Sequence, residues 1–544
     1  MRGVSDAGVE SEMGVESGMS EAGVESRMSE AGVESGARVM GGMRAVLSID
    51  QSTSATKALL WGLDGRLLAR ADVPHRQIAN SLGWAEHDPM EIWGNAQRAA
   101  RLAIEKSGIR AGDVAAVGIA NQRETAVCWD AATGAPLHNA IVWRCARASD
   151  IVEEVRAAGL EGEVRRRTGT PLSPYFSAAK FGWMVRHSPE AKAARVAGRL
   201  RCGTVDSWLV HRLTGEFLTD CSNASRTQLM DLRGLKWDAE LAAAFGLSVG
   251  CLPEIRFCDS MFGTTTFGGL LPRPVPVRGV MGDSHAALFG NQCWRPFDAK
   301  ATYGTGSSVM MNAGERRPEP AAGISASVAW AMGSKAEYAL EGNVNDAGSV
   351  IRWLADGLGL LADPMGAGEV AASVPDTGGV YLVPAFSGLG APHFDSAARA
   401  AFLGMNRGTG RAHLVRAAEE CIAYQVRDVA EAMKESCGKG MAALRADGGP
   451  TGDGFLMQFQ ADILDIPLEI SETEELSGMG AAFCAAEAAG LASREALFAG
   501  RRRRAVRQRM AAGRREELYS GWKNAVRAVS MATSMGESTT PSRP

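Results

Sequence analysis

A strand, a turn crowded with hydroxyls and a second strand occur twice in this chain, and the repetition narrows the folds open to it. The first copy reads Ala45–Asp50 (A-V-L-S-I-D), then Gln51-Ser52-Thr53-Ser54, then Lys57–Trp61, with an Asp64-Gly65 hairpin signal and a third strand at Leu67–Ala71. The second reads Ala301–Tyr303, then Gly304-Thr305-Gly306-Ser307-Ser308, then Val309–Asn312, with more strand-like sequence over Trp330–Glu341. Tight turns of this kind present backbone N–H groups and hydroxyls, and both can hold phosphate oxygens. A fold carrying one such hairpin in each half would clamp nucleotide phosphates between two similar domains. After the first hairpin an amphipathic helix (Glu91–Lys106) and an apolar strand (Val114–Ala120) alternate, which argues for a mixed α/β sheet covered on both faces.

Composition closes off other classes. With 544 residues, 46% of them hydrophobic and 22% charged, the chain can bury two or three ordinary cores. A net charge of −4 gives no ground for a nucleic-acid or membrane-surface partner. No apolar run approaches the length of a membrane span, and the N-terminus lacks a secretory pattern. The ten cysteines form no C-x-x-C pair, which fits buried thiols in a reducing cytoplasm. The arginines Arg501–Arg504 read as a solvated helix end. The stripe Leu414, Ala418, Cys421, Ile422, Val426, Val429 and Met433 predicts a core-facing helix over His413–Glu435.

The segment 1–42 repeats S-[DE]-A-G-V-E-S and lacks aromatics, so it is expected to be a disordered low-complexity extension. Folded sequence starts at Arg44. The expected division is an N-terminal folded domain over 44–292, a C-terminal one over 293–530, and a disordered tail over 531–544.

Three segments carry chemistry. In Asp50–Lys57, the hydroxyl turn follows a carboxylate suited to a hydrated Mg²⁺, which takes one or two carboxylates with water and phosphate. Ala446–Gly454 is a glycine-rich loop ahead of an apolar helix (Phe455–Leu464); it is neither a P-loop nor a dinucleotide fingerprint, which leaves an adenosine cradle of another kind. Asp283, just past the strand-like Val275–Val280, can accept a proton from an attacking hydroxyl, or cap a helix opening at Ala286.

These segments resemble the FGGY family of carbohydrate kinases, and the likeness runs from about Arg44 to about Val529. Tyr175–His187 resembles the family's first signature and Ala400–Glu420 its second, with Glu419 where an apolar residue is usual. Asn121–Thr125, Asn139–Trp143, Asn223–Thr227 and Gly388–Pro392 resemble the glycerol-phosphorylating branch. The resemblance implies two ribonuclease-H-like domains of the actin and hexokinase type, with an interdomain cleft where ATP and a small polyol meet. It implies that Thr53, Ser54, Ala55 and Lys57 line the phosphates, and that Thr305, Gly348, Arg352, Gly449 and Asp453 hold the nucleotide. It further implies Asp50 and Asp283 at Mg²⁺, Asp283 as general base, Arg123, Glu124 and Tyr175 on the polyol hydroxyls, and Trp143 as the apolar wall. A planar multi-donor, an acceptor and a flat face suit a vicinal diol. A homo-oligomer is compatible with the resemblance.

Departures from the family pattern bear on substrate choice. Ser284 stands where a glutamine is usual and Ser308 where a phenylalanine is usual, which leaves room for a larger polyol such as erythritol, or for His285 to turn into the space. Arg352 and Asp453 replace more usual amides. Phe267–Pro272 replaces the basic glycine-rich loop that binds fructose bisphosphate in some bacterial members. Alternatives are a pentulose kinase of the same family, normally marked by Met-His-Gly at 121–125, and an actin-like ATPase, which has no use for the Arg123, Glu124 and Trp143 set.

Overall fold

The run Ala45–Gln51 is buried throughout, as a strand flanked on both faces must be. As β1 it pairs antiparallel with β2 (Ala55–Gly62), which pairs antiparallel with β3 (Leu67–Pro74). On its other side β1 runs parallel to β4 (Val114–Asn121). With β5 (Thr264–Thr265) and β6 (Val275–Gly282) the sheet order is β5-β6-β4-β1-β2-β3. These elements come from a computed structural model, which describes residues 44–537; the expected extension 1–42 and the last residues of the expected tail lie outside the described residues.

A second sheet repeats the plan. Its strands are β7 (Ala299–Tyr303), β8 (Ser307–Gly314), β9 (Ser325–Met332), β10 (Lys335–Val344), β11 (Leu444–Asp447), β12 (Leu468–Ser471) and β13 (Arg503–Val506), in the order β9-β10-β8-β7-β11-β12-β13. β7 and β8 form the antiparallel hairpin, β10 extends it, and β11 and β12 run parallel on the far side of β7. Strand for strand this matches the first sheet, with β9 added outside β10. The doubled α/β architecture expected from the two hydroxyl turns is therefore present.

Helices are placed by their own end signals. α1 (Pro89–Ser107) opens on Asp88, whose side chain accepts from the Met90 amide, and stops at Gly108 with φ 69°. Further along the chain come α2 (Ser177–His187), α3 (Asp283–Gly290) and α4 (Gly348–Asp356). α5 (Arg411–Cys437) buries Ala418, Cys421, Ile422, Val426, Val429 and Met433 of the predicted stripe, with Leu414 half-buried. α6 (Gly454–Leu464) follows the glycine-rich loop.

α7 (Leu476–Ala488) comes after β12 in sequence yet packs on the first sheet and on α3. Its approach is backbone to backbone. A Cβ on Gly118 of β4 would lie 2.5 Å from the Ala481 carbonyl oxygen, and one on Gly480 would lie 2.0 Å from that of Ala286. Only residues without a Cβ let the surfaces come this close.

Two expectations are corrected. Arg501–Arg504 is not a solvated helix end but the entry to edge strand β13. Arg501 donates to the Gly65 carbonyl in the first half, Arg503 to that of Asn291 at 2.8 Å and Arg504 to that of Thr451 at 3.1 Å. Guanidiniums with a carbonyl each to bond bring neighbouring segments together instead of dispersing into water. The tail expected over 531–544 is helical in its first part, because α8 (Ala512–Glu537) runs through residues 531–537. Extending an existing helix needs no new nucleation. The described cysteines are free thiols, nine buried and Cys437 half-buried. No described helix is long and apolar enough to cross a membrane.

Gly480→Ala should therefore destabilise the protein by about 1–3 kcal/mol, since neither backbone can yield cheaply. Gly162→Ala, on a helix with nothing within 4 Å of the added carbon, should be neutral or stabilise by up to about 1 kcal/mol. Thermal melting of both variants checks this; a Gly480→Ala protein that melts with the native one would mean the α7 contact is not tight.

Candidate active site

β6 runs into α3 without an intervening loop, and that junction sets Asp283. The helix starts three residues earlier than the predicted opening at Ala286, so Gly282 occupies the cap position and Asp283 lies in the first turn. Its carboxylate accepts from the Ser284 amide at 2.6 Å and is about one-third exposed (32%). A carboxylate here is favoured by the positive end of the helix and is still open to a ligand. His285 does not turn into the space beside Asp283. It is fully buried, its Nε2 lies 3.0 Å from the Ser327 hydroxyl, and burial, with Arg123 nearby, holds its ring well below the usual histidine range.

Beyond β4 the chain turns sharply, with Glu124 at φ 62°, an uncommon and costly conformation for a side chain of this size. The turn leads into a buried chain of charges. Arg123 donates two 2.7 Å hydrogen bonds to Glu341 of β10, in the other half. Arg226 donates to Glu124 at 2.5 Å and stands 3.1 Å from Glu341. Burial pushes the Glu124 carboxyl up, against the pull of Arg226 and Arg123. Glu341 is buried too, yet the same two guanidiniums hold its carboxyl far below the usual range. The Arg123 Nε lies 3.2 Å from Asp283 Oδ1, but its N–H makes no hydrogen bond among the described residues.

Trp143 and Tyr175 stand together, ring centroids 5.4 Å apart and tilted by 59°. The Trp143 indole N–H donates to the Thr53 hydroxyl at 2.9 Å, tying this wall to the first hydroxyl turn. Burial, and next the Glu124 charge, push the Tyr175 phenol up. Lys180 of α2 fixes the segment carrying Tyr175, donating to the Pro174 carbonyl at 2.8 Å, to that of Phe176 at 3.1 Å, and to that of Tyr175. Ser284 is half-buried, and the Ser308 hydroxyl is buried without a hydrogen-bond partner among the described residues.

The second hydroxyl turn opens on a pocket of about 820 Å³. Thr305, Gly348, Arg352, Gly449 and Asp453, predicted from different parts of the sequence, all line it. α4 starts at the turn, where the Gly348 amide donates to the Gly304 carbonyl at 2.9 Å. Asp453 caps α6 through the Leu456 amide at 2.9 Å. Thr53, Ser54, Ala55 and Lys57 do not line this pocket; they belong to the first half's hairpin, where Ser52 and Ala55 close the turn. Lys57 is engaged by Glu475 at 2.9 Å, and Glu475 also pairs with Arg70.

Asp50 ends near Lys57, Glu475 and Asp283. Burial raises its carboxyl to about 7, against the pull of Lys57 and with help from the two acids. Asp50 and Asp283 are the only predicted metal contacts, and no larger acidic or histidine cluster able to hold an ion exists among the described residues. Two carboxylates completed by water and phosphate suit Mg²⁺, not a protein-caged metal.

The sequence assigns no role to Glu341, Arg226 or Glu475, and marks Glu419 only as a departure from the family pattern. A charge inside an apolar strand, as in Ala339-Leu340-Glu341-Gly342, does signal a buried partner. It does not say which one.

Residues 45–290 match the FGGY family of carbohydrate kinases, N-terminal domain, and residues 299–489 its C-terminal domain. Glycerol kinase 1 of Thermotoga maritima is 46% identical over 488 residues, 89% of this chain and 99% of that protein. Glycerol kinase of Symbiobacterium thermophilum is 43% identical over 485 residues, 88% of this chain and 97% of that protein. Among solved structures, Plasmodium falciparum glycerol kinase with ADP superposes with a TM-score of 0.84 at 34% identity, covering 90% of this chain and 98% of that one. A gluconate kinase from Lactobacillus acidophilus, at 22% identity and a TM-score of 0.82 over 91% of this chain and 99% of its own, shares the fold.

The raised Asp50 carboxyl sets a pH dependence. With a folded value near 7 and an ordinary value of 3.8 when unfolded, its contribution to stability is present below pH 4 and is lost as pH rises toward 7. In metal-free buffer, Asp50→Asn should therefore gain stability relative to the native protein between pH 5 and pH 8, by on the order of a few kcal/mol. Melting curves across that range test it; a constant offset between the two proteins would refute the assignment.

Proposed function

Because the chain belongs to the FGGY family of carbohydrate kinases, we propose that it transfers the γ-phosphoryl group of ATP to a hydroxyl of glycerol, giving glycerol 3-phosphate and ADP. The observation that carries this reading is the unused Arg123 N–H beside the Asp283 carboxylate, with Glu124 and the Trp143 and Tyr175 rings close by. A buried donor without a partner is costly, and a substrate hydroxyl next to a base would satisfy it.

In the reaction the acceptor hydroxyl gives its proton to Asp283 as its oxygen bonds to the γ-phosphorus. The bond from that phosphorus to the bridging oxygen breaks, and ADP leaves with the electron pair. Arg123, Glu124 and Tyr175 hold the polyol hydroxyls, while Trp143 covers its carbons. The turn at Ser52–Ala55 and the turn at Gly304–Ser308 offer backbone N–H groups and hydroxyls to the phosphates from the two halves. Asp50 and Asp283 would hold Mg²⁺, which neutralises phosphate charge when bound. Alignment and charge neutralisation are most of what phosphoryl transfer asks of a protein.

A second reading, a four-carbon polyol as acceptor, draws on Ser284 and on the unpartnered Ser308 hydroxyl. Small groups at both positions leave the carbon side of the site under-filled. The forfeited apolar contact is worth about 1–3 kcal/mol.

ADP release measured with ATP alone and with a panel of polyols tests both readings. Turnover should depend on an added polyol, and Asp283→Asn should lower it by about 10²–10⁴ while ATP still binds. Near-normal activity of that variant would leave Asp283 without a role as base. Erythritol should be accepted by the native enzyme and disfavoured by Ser284→Gln/Ser308→Phe. Strict selectivity for glycerol, unmoved by the double change, sinks the enlarged pocket alone.

A further inference from the structure

The pocket at the second hydroxyl turn holds a group that none of the roles above employs. Glu419 of α5 lines it and is only 2% exposed. Its Oε2 has no hydrogen-bond partner among the described residues. Ile422, one helical turn along the same face of α5, lines the pocket beside it, and Leu456, Trp353 and Met365 supply further apolar wall. A carboxyl in such a setting gains nothing from the protein. Among the buried polar atoms without a partner, this one belongs to a residue that lines the pocket of the second half.

We propose that Glu419 reads the base of the nucleotide bound in this pocket, pairing with the amine-bearing edge of adenine. The inference rests on the nucleotide reading given above and adds to it the residue that senses the base. Burial, and next the Asp453 charge, push the Glu419 carboxyl well above the usual range, which favours its neutral form. A neutral carboxyl offers one O–H donor and one carbonyl acceptor side by side. Adenine presents the complement, its 6-amino donor next to a ring-nitrogen acceptor. The apolar residues around Glu419 suit the flat faces of a purine, and the hydroxyl turn at the start of α4 suits the phosphates. Asp453 already uses its Oδ1 to cap α6 through the Leu456 amide.

The test uses the full-length enzyme and two nucleotides, ATP and purine riboside 5′-triphosphate, which lacks only the 6-amino group. The native protein should bind ATP about tenfold more tightly, the usual worth of one such hydrogen bond. Glu419→Gln, which keeps a donor and an acceptor on the same frame, should retain that ratio. Glu419→Leu should lose it, with ATP weakened about tenfold and glycerol KM unchanged. A native protein blind to the amino group, or a leucine variant that still prefers ATP by the native factor, overturns the proposal. Affinities are measured by calorimetry as well as by turnover. Binding ratios then stand even if glycerol is not phosphorylated, which separates failure of the acceptor reading from failure of this one.

Discussion

The pairing of Arg123 with Glu341 crosses from the first half of the molecule to the second, and the arrangement of the site follows from it. Each ion costs several kcal/mol to take out of water, so the pair contributes little net stability. Its value is positional. Two parallel hydrogen bonds fix the guanidinium plane and leave the Nε–H, whose nitrogen lies 3.2 Å from Asp283 Oδ1, without a hydrogen bond among the described residues. Arg226 shares Glu341 and holds Glu124, so Arg123 and Glu124 are both anchored through one carboxylate. Loss of Glu341 would leave two buried guanidiniums short of a counter-ion.

The two halves follow one strand plan yet divide the work unequally. The first contributes Arg123, Glu124, Trp143, Tyr175, Asp283 and the turn after β1, the side proposed for the acceptor. The second contributes the large pocket, built from its own turn, α4, the glycine-rich loop and α5. What links the first turn to the aromatic wall is small in scale: the Trp143 indole donates to the Thr53 hydroxyl, so a displacement of the ring bears directly on that turn.

Much of this was legible in the sequence because it is local. A hydroxyl turn between apolar strands, a glycine-rich stretch before a helix and an aspartate after a strand all announce themselves within about ten residues. The five positions that the family resemblance assigns to a nucleotide line one pocket. What escaped is non-local or depends on an exact boundary. Glu341 lies 218 residues from Arg123, and nothing in either neighbourhood names the other. Arg501–Arg504 looked solvated because a charge run carries no hint of the carbonyls waiting for it. Asp283 was read as a possible cap because the sequence does not reveal that β6 and α3 join without a loop. Glu419 showed only as an acid in an apolar position; its meaning needed the cavity in front of it.

The helix that covers the first sheet has a consequence for synthesis. β6, the last strand of that sheet, is complete at Gly282, but α7 begins only at Leu476. At ordinary translation speeds the ribosome takes roughly 10–40 s to cross that interval. Throughout it, the glycine-lined face of β4 and β6 is made and uncovered. The first half therefore cannot mature as an independent unit while the second is being built. A nascent chain interrupted before Leu476 carries a finished sheet with one bare apolar face, the kind of surface that chaperones hold and that other unfinished chains adhere to.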